Sequence, residues 1–223
     1  MEQRIYEVKK RIQASALRSN RPVDDITIVG VTKTVTREIA LQAFNLGLND
    51  LGENRVQELK QKIEYIPQAR WHMIGRLQTN KVKDIVGRVC LIHSLDRWNL
   101  AEEINKRGML LGIEVPVLLE INIAGEEQKA GLKPAEVESF LESAGQLEAI
   151  HIYGFMTVAP FFENAELTRP VFGELRRLKE ELSQKSYRNV DLKHLSMGMT
   201  QDFEIAIEEG ATIVRIGSAF FNE

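Results

Sequence analysis

A single (β/α)8 barrel of the TIM type, carrying an extra N-terminal helix, is the fold class that this sequence predicts, and three observations predict it. Eight short runs rich in branched and apolar residues each give way to a segment whose apolar residues recur at helical spacing. The runs return every ~20 to 45 residues, and strict strand–helix alternation of that count builds a parallel sheet, closed as a barrel or, as second choice, open and doubly wound. At 223 residues the chain suits one large α/β domain and is too short for two domains and a linker, so residues 1–223 read as one domain. The surplus helix at the start and a vestigial helix at the end are complementary, because the outer ring of a barrel has to be filled.

Each element has a local cause. Ile5, Val8, Ile12 and Ala16 form one face of a helix over residues 2 to 18, closed by Arg21-Pro22. The run from Ile26 to Thr34 is the first strand and delivers Lys33 at its end. Thr36 caps a helix reaching Leu46, with Gly47 as its stop. A short strand at 49 to 52 precedes a helix striped by Val56, Leu59, Ile63 and Ile66 and ended by Pro67. Strand 70 to 75 leads to a helix with Val82, Ile85 and Val86. Strand 89 to 93 follows, then a helix that Ser94 caps and Gly108 ends. The strongest β-run is 115 to 123, and Pro134 opens the next helix. Strand 149 to 155, a long helix bearing Leu167, Val171, Leu175, Leu178 and Leu182, strand 192 to 196, a helix to about Glu209 and strand 212 to 216 complete the alternation.

Composition removes several function classes. A hydrophobic fraction of 43% with 27% charged residues is that of an ordinary globular protein. No apolar run nears the ~20 residues that span a bilayer, and the amino terminus is a charged amphipathic helix without a signal-peptide core, so a cytoplasmic location and no membrane partner are expected. A net charge of -3 with dispersed Lys and Arg gives no nucleic-acid footprint. The one cysteine, Cys90, excludes an internal disulfide and, in the run VCLI, reads as an inert core thiol. The absence of an evident apolar outer patch predicts a monomer.

The C-terminal ends of barrel strands line the active face. Here they bring Lys33, Glu53, Asn54, Gly75, His93, Asn122, Met156, Ser196 and Arg215. Closure makes the first and last strands neighbours, so Lys33 and Arg215 converge if both point into the mouth, and a lysine desolvated beside another cation is a Schiff-base nucleophile. Ser196-Met197-Gly198 after the seventh strand and Gly217-Ser218 after the eighth occupy the places where such barrels cradle phosphate on backbone N–H groups. On residues alone, an aldolase or phospho-sugar isomerase using Lys33 fits as well. His72, His93, His151 and His194 fall on four strands without paired-ligand spacing, so hydrogen-bonded strand residues and no metal are expected. Glu126, Glu127, Lys129 and Lys133 read as a solvated loop, and the charged faces of the helices at 53 to 64 and 174 to 185 as solvated surface.

Val31-Thr32-Lys33-Thr34, Gly52-Glu53-Asn54-Arg55-Val56-Gln57-Glu58, the stretch from Trp71 to Lys81 (WHMIGRLQTNK), His93-Ser94-Leu95-Asp96, Lys129-Ala130-Gly131, Ser196-Met197-Gly198-Met199 and Arg215-Ile216-Gly217 resemble the YggS/PROSC family of pyridoxal-phosphate homeostasis proteins over nearly the whole chain. The resemblance implies the barrel of the alanine racemase N-terminal domain and pyridoxal 5'-phosphate (PLP) as cofactor. It implies Lys33 as the aldimine lysine, Ser196, Met197, Gly198, Gly217 and Ser218 around the phosphate, Arg215 at the pyridine nitrogen or adjoining phosphate edge, and Asn54 beside the ring. Leu51, Arg55 and Asn222 depart from the family pattern. An arginine at the ring nitrogen would leave it unprotonated and the cofactor a weak electron sink. With the sequence ending after the eighth strand, no racemase second domain is expected. The implied role is non-catalytic: storage, buffering or delivery of PLP, with PLP-dependent apoenzymes as recipients and effects on amino-acid and keto-acid balance. A PLP-dependent racemase is the alternative.

Overall fold

The computed structural model describes residues 1–126 and 128–221, which leaves Glu127 of the charged loop and Asn222 outside the described residues. The eight strands form one closed parallel barrel in sequence order: β1 Thr27–Val31, β2 Asp50–Glu53, β3 Arg70–Met73, β4 Leu91–Leu95, β5 Val115–Glu120, β6 Ile150–Met156, β7 Val190–Ser196 and β8 Ile213–Ile216. The outer helices are α1 Glu2–Arg18, α2 Arg37–Asn45, α3 Val56–Tyr65, α4 Val82–Ile85, α5 Trp98–Leu111, α6 Pro134–Ala144, α7 Arg169–Leu182, α8 Phe203–Glu208 and α9 Ser218–Phe221. Closure sets Val29 of β1 opposite both Asp50 of β2 and Arg215 of β8. Among the described residues no helix is long and apolar enough to cross a membrane.

As predicted, α1 fills the gap beside the last strand. Its Ile5, Val8, Ile12 and Ala16 are buried, each larger side chain contributing roughly 1.5–3 kcal/mol of transfer free energy. The seam is aligned by Arg11–Glu204 at 2.7 Å and Arg18–Glu208 at 2.8 Å, and by Arg21 Nη1, which donates to the carbonyls of Ile207 and Ala211. The main apolar core lies between sheet and helices. A smaller cluster of Val29, Leu91, Leu118, Met156 and Ile213 fills the barrel interior.

Four local expectations are corrected. Ser94 does not cap a helix: it lies in β4 and its Oγ donates to the carbonyl of Gly75 at 2.7 Å, and α5 starts only at Trp98. Gly108 does not end α5, which runs on to a left-handed Gly112; a Cβ at 108 would come within 2.7 Å of Ala149 Cβ, so this glycine lets helix and β6 approach. Cys90 is exposed at the barrel's N-terminal rim, where its Sγ donates to Trp71 O. Surrounding protein and the Asp50 carboxylate push its thiol up to about 12, so with no cation bound beside it the thiol stays protonated at neutral pH. In α3 the buried stripe is Val56, Leu59 and Lys62; a lysine replaces the expected Ile63, which is only partly buried, because a buried carboxylate waits beneath it.

Candidate functional site

The first strand ends at Val31, so Lys33 stands in a turn two residues beyond it and is exposed. Of the two cations expected to converge, Arg215 is the desolvated one and Lys33 is not. What fixes the lysine turn is the residue before it. Thr32 is buried; its Oγ1 donates to Glu53 Oε1 at 2.6 Å, and its carbonyl accepts from Lys62 Nζ at 2.7 Å. Lys62 Nζ also meets Glu53 Oε1 at 2.5 Å, with both side chains almost wholly buried. The GEN segment thus supports the turn from below through Glu53, while Asn54, half-buried, follows β2. A Cβ at Gly75 would sit 2.4 Å from Asn54 O, so only glycine lets the loop after β3 close over that backbone.

Across the mouth, Ser196 ends β7 fully buried. Its Oγ accepts from Arg215 Nη1 at 2.7 Å, and Arg215 Nη2 donates to the carbonyl of Thr157 at 2.9 Å. Burial draws the guanidinium down to about 10, opposed by the Asp202 and Glu120 carboxylates, and Arg215 stays charged at neutral pH. Gly198 has φ +90, and a Cβ there would meet Ala206 Cβ at 2.5 Å. The loops after β7 and β8 are tied together where Thr200 Oγ1 accepts the N–H of Ala219 at 3.2 Å, which sets Gly217 and Ser218 beside the Ser196 loop. Met199 N–H donates to Asp202 Oδ1 at 2.6 Å and closes the turn. Met197 lies differently from its neighbours: its side chain is buried in the outer core and its N–H donates to Ile213 O, so it acts as a spacer between Ser196 and Gly198.

Ser196 is also one end of a buried polar chain that sequence reading missed. His93 Nδ1 lies 2.9 Å from Ser196 Oγ, His93 Nε2 is 2.9 Å from His72 Nδ1, and His72 Nε2 is 2.9 Å from Asp50 Oδ1. Burial above all, and also the Arg215 charge, hold His93 well below the usual imidazole range, so it is neutral. Burial works against the Asp50 carboxylate, but hydrogen bonds from His72 and Arg70 prevail and hold it below its usual range. For neutral rings, one assignment puts a single hydrogen in every gap: Ser196 donates to His93, His93 to His72 and His72 to Asp50. Both histidines were expected as hydrogen-bonded strand residues, but nothing local in the sequence links them. His93→Phe leaves Ser196 and His72 without this partner and is expected to cost roughly 1–3 kcal/mol, read as a lower urea midpoint at unchanged slope.

Glu120, at the end of β5, is raised from 4.5 to about 7, by burial first and then by Asp96, with Arg215 and Arg76 opposing. The folded protein holds this proton more tightly than the unfolded chain does. The resulting stability is therefore full below pH 4.5 and lost as pH rises through about 7. Glu120→Gln is expected to match the wild type in urea melts near pH 4 and to exceed it above pH 7, since the buried charge never forms. The loop after β5 is anchored rather than free: Leu132 N–H donates to Glu120 O and Leu132 O accepts from Asn122 N–H, while Lys129 pairs with Glu126 at 2.7 Å.

A buried cation beside a buried hydroxyl, glycine loops at the ends of β7 and β8, and an accessible amine in the turn after the neighbouring β1 suit a ligand carrying an anion and a carbonyl. Residues 12–223 match the family model described as alanine racemase, N-terminal domain. The pyridoxal phosphate homeostasis protein of Aquifex aeolicus is 48% identical over 223 residues, covering 99% of this chain and 97% of that protein. The crystal structure of an unknown protein from Bifidobacterium adolescentis aligns with a TM-score of 0.92 at 33% identity, over 99% of this chain and 94% of that one. PipY of Synechococcus elongatus, solved with PLP bound, aligns with a TM-score of 0.83 at 32% identity, over 96% of this chain and 100% of that one. The chain belongs to the pyridoxal phosphate homeostasis protein family, on the barrel of the alanine racemase N-terminal domain.

Proposed function

We propose that this protein holds PLP through a covalent link to the Lys33 amine and acts, as a cytoplasmic monomer, in storing, buffering and delivering the cofactor to PLP-dependent apoenzymes. The observation that carries this reading is the Arg215–Ser196 pair set under the tied β7 and β8 loops, with β8 beside the strand that the Lys33 turn follows. When bound, PLP supplies an aldehyde that condenses with amines and a ring that can draw electrons from an attached carbon. Lys33 offers the amine from a turn that Thr32, Glu53 and Lys62 hold in place. Gly198, Gly217 and Ser218 take the phosphate, with Met197 spacing the loop and Ser196 holding Arg215 beside it, and Asn54 flanks the ring. Arg215 sits at the ring nitrogen or the adjoining phosphate edge. Because it keeps its proton, it cannot donate one to the ring, which disfavours turnover.

Incubation with PLP followed by gel filtration should leave about one cofactor per chain, and amino acids in deuterated water should keep their α-hydrogens. Failure to retain PLP overturns the proposal. One observation favours a racemase: Glu120, near 7, can exchange a proton at this end of the barrel. Exchange of the α-hydrogen that is lost in both Lys33→Ala and Glu120→Gln would decide for the enzyme.

A further inference from the structure

The opposite end of the barrel carries a second constellation that the cofactor reading does not use. The N-terminal ends of the strands surround a cavity of about 370 Å³ lined by Asp50, Arg70, His72, Cys90, Tyr153 and His194, among others. Three of these bear metal-ligating groups on adjacent strands: Asp50 begins β2, His72 lies in β3 and Cys90 immediately precedes β4. One ligand atom from each falls within 4.8 Å of the other two.

We propose that Asp50 Oδ1, His72 Nε2 and Cys90 Sγ bind a zinc-class divalent cation at this lower rim, where it ties β2, β3 and β4 together. A carboxylate, an imidazole and a thiol form a mixed donor set suited to zinc, and three protein ligands leave a fourth position facing the cavity. Bond lengths in a tetrahedral zinc site put ligand atoms about 3.3–3.7 Å apart. His72 Nε2 and Asp50 Oδ1 stand hydrogen-bonded at 2.9 Å, so the ion replaces that hydrogen bond and spreads the pair by about 0.4 Å, while Cys90, whose side chain is exposed at the rim, moves in to meet it.

The outer partners are in place. His72 Nδ1 faces His93 Nε2 at 2.9 Å, the second ring contact that metal-bound histidines use to fix their orientation. Asp50 Oδ2 is held by Arg70 at 2.5 Å, so Oδ1 can exchange its hydrogen bond from His72 for the ion while the carboxylate stays anchored, and Cys90 gives up its hydrogen bond to Trp71 O. On binding, the thiol proton leaves to solvent and the ring hydrogen of His72 resides on Nδ1, donated to His93. The lower face of such a barrel serves stability, so the bound ion is a structural clamp.

The test uses the full chain, stripped with a chelator and titrated with Co²⁺ and with Zn²⁺. One equivalent of Co²⁺ should produce visible ligand-field bands and a near-ultraviolet thiolate-to-cobalt band. Zn²⁺ at about a hundredfold over its Kd should raise Tm by roughly 5–10 °C. Cys90→Ser, an exposed change that the fold tolerates, should lose the thiolate band and most of the Tm rise. Absence of the cobalt bands and of the zinc shift in the wild type overturns the proposal, as does a Cys90→Ser protein that keeps both. None of these readouts involves PLP, so they stand or fall independently of the cofactor site.

Discussion

Lys33→Ala abolishes covalent retention of PLP and leaves the fold intact. Lys33 is exposed in a turn, and its truncation removes no core contact, so stability should change by no more than about 0.5 kcal/mol. The phosphate donors and Arg215 remain, so weak, non-covalent binding should survive. Loss of the covalent link should lower apparent affinity by roughly 100-fold or more, about 2.7 kcal/mol. Equilibrium dialysis against PLP, with the visible band of the lysine-linked cofactor as a second readout, measures both quantities. A variant that retains the cofactor through gel filtration as the wild type does would remove Lys33 from its proposed role.

Lys62→Met is expected to be the most destabilising single change near the site. The methionine keeps the stem but removes the ammonium from Glu53 Oε1, while Glu53 Oε2 already has no hydrogen-bond partner among the described residues. An uncompensated carboxylate at a fully buried position costs about 3–5 kcal/mol. For a chain of this size that is a fall in Tm of roughly 6–20 °C. The turn that carries Lys33 loosens too, because Thr32 O loses its donor, so PLP retention should drop although Lys62 lies outside the cofactor cradle. Replacing Glu53 by Leu in the same chain should restore much of the stability, since the charge that needed a partner is then gone, but should not restore retention. Equal stability of Lys62→Met and wild type would mean that the pair does not hold the turn.

The barrel was legible because its cause is periodic: eight apolar runs, each followed by a helical stripe, describe the closed sheet and the helix that completes the ring. The loops after β7 and β8 were legible by their ordinal place. Features set by partners distant in sequence were not. Lys62 looked like solvated helix surface, since its partner Glu53 is nine residues away across a loop and only packing makes a lysine an inward residue there. Cys90 sat in an apolar run, yet the strand starts one residue later and leaves it on the rim. The chain from Asp50 through His72 and His93 to Ser196 joins four strands, and barrel closure, not spacing, aligns it. Lys33 was placed at a strand end, but β1 stops at Val31, and the exposed turn that follows changes the lysine from a desolvated group to an accessible one.

The central claim is that Lys33 and the Arg215–Ser196 end of the barrel together hold PLP. Borohydride reduction of the PLP-loaded wild type, followed by peptide mapping, tests it most directly. The account predicts a yellow protein whose visible band disappears on reduction and whose pyridoxyl label lies on Lys33 alone, at about one per chain. A colourless protein after incubation with PLP, or a label spread over other lysines with Lys33 unmodified, would contradict it.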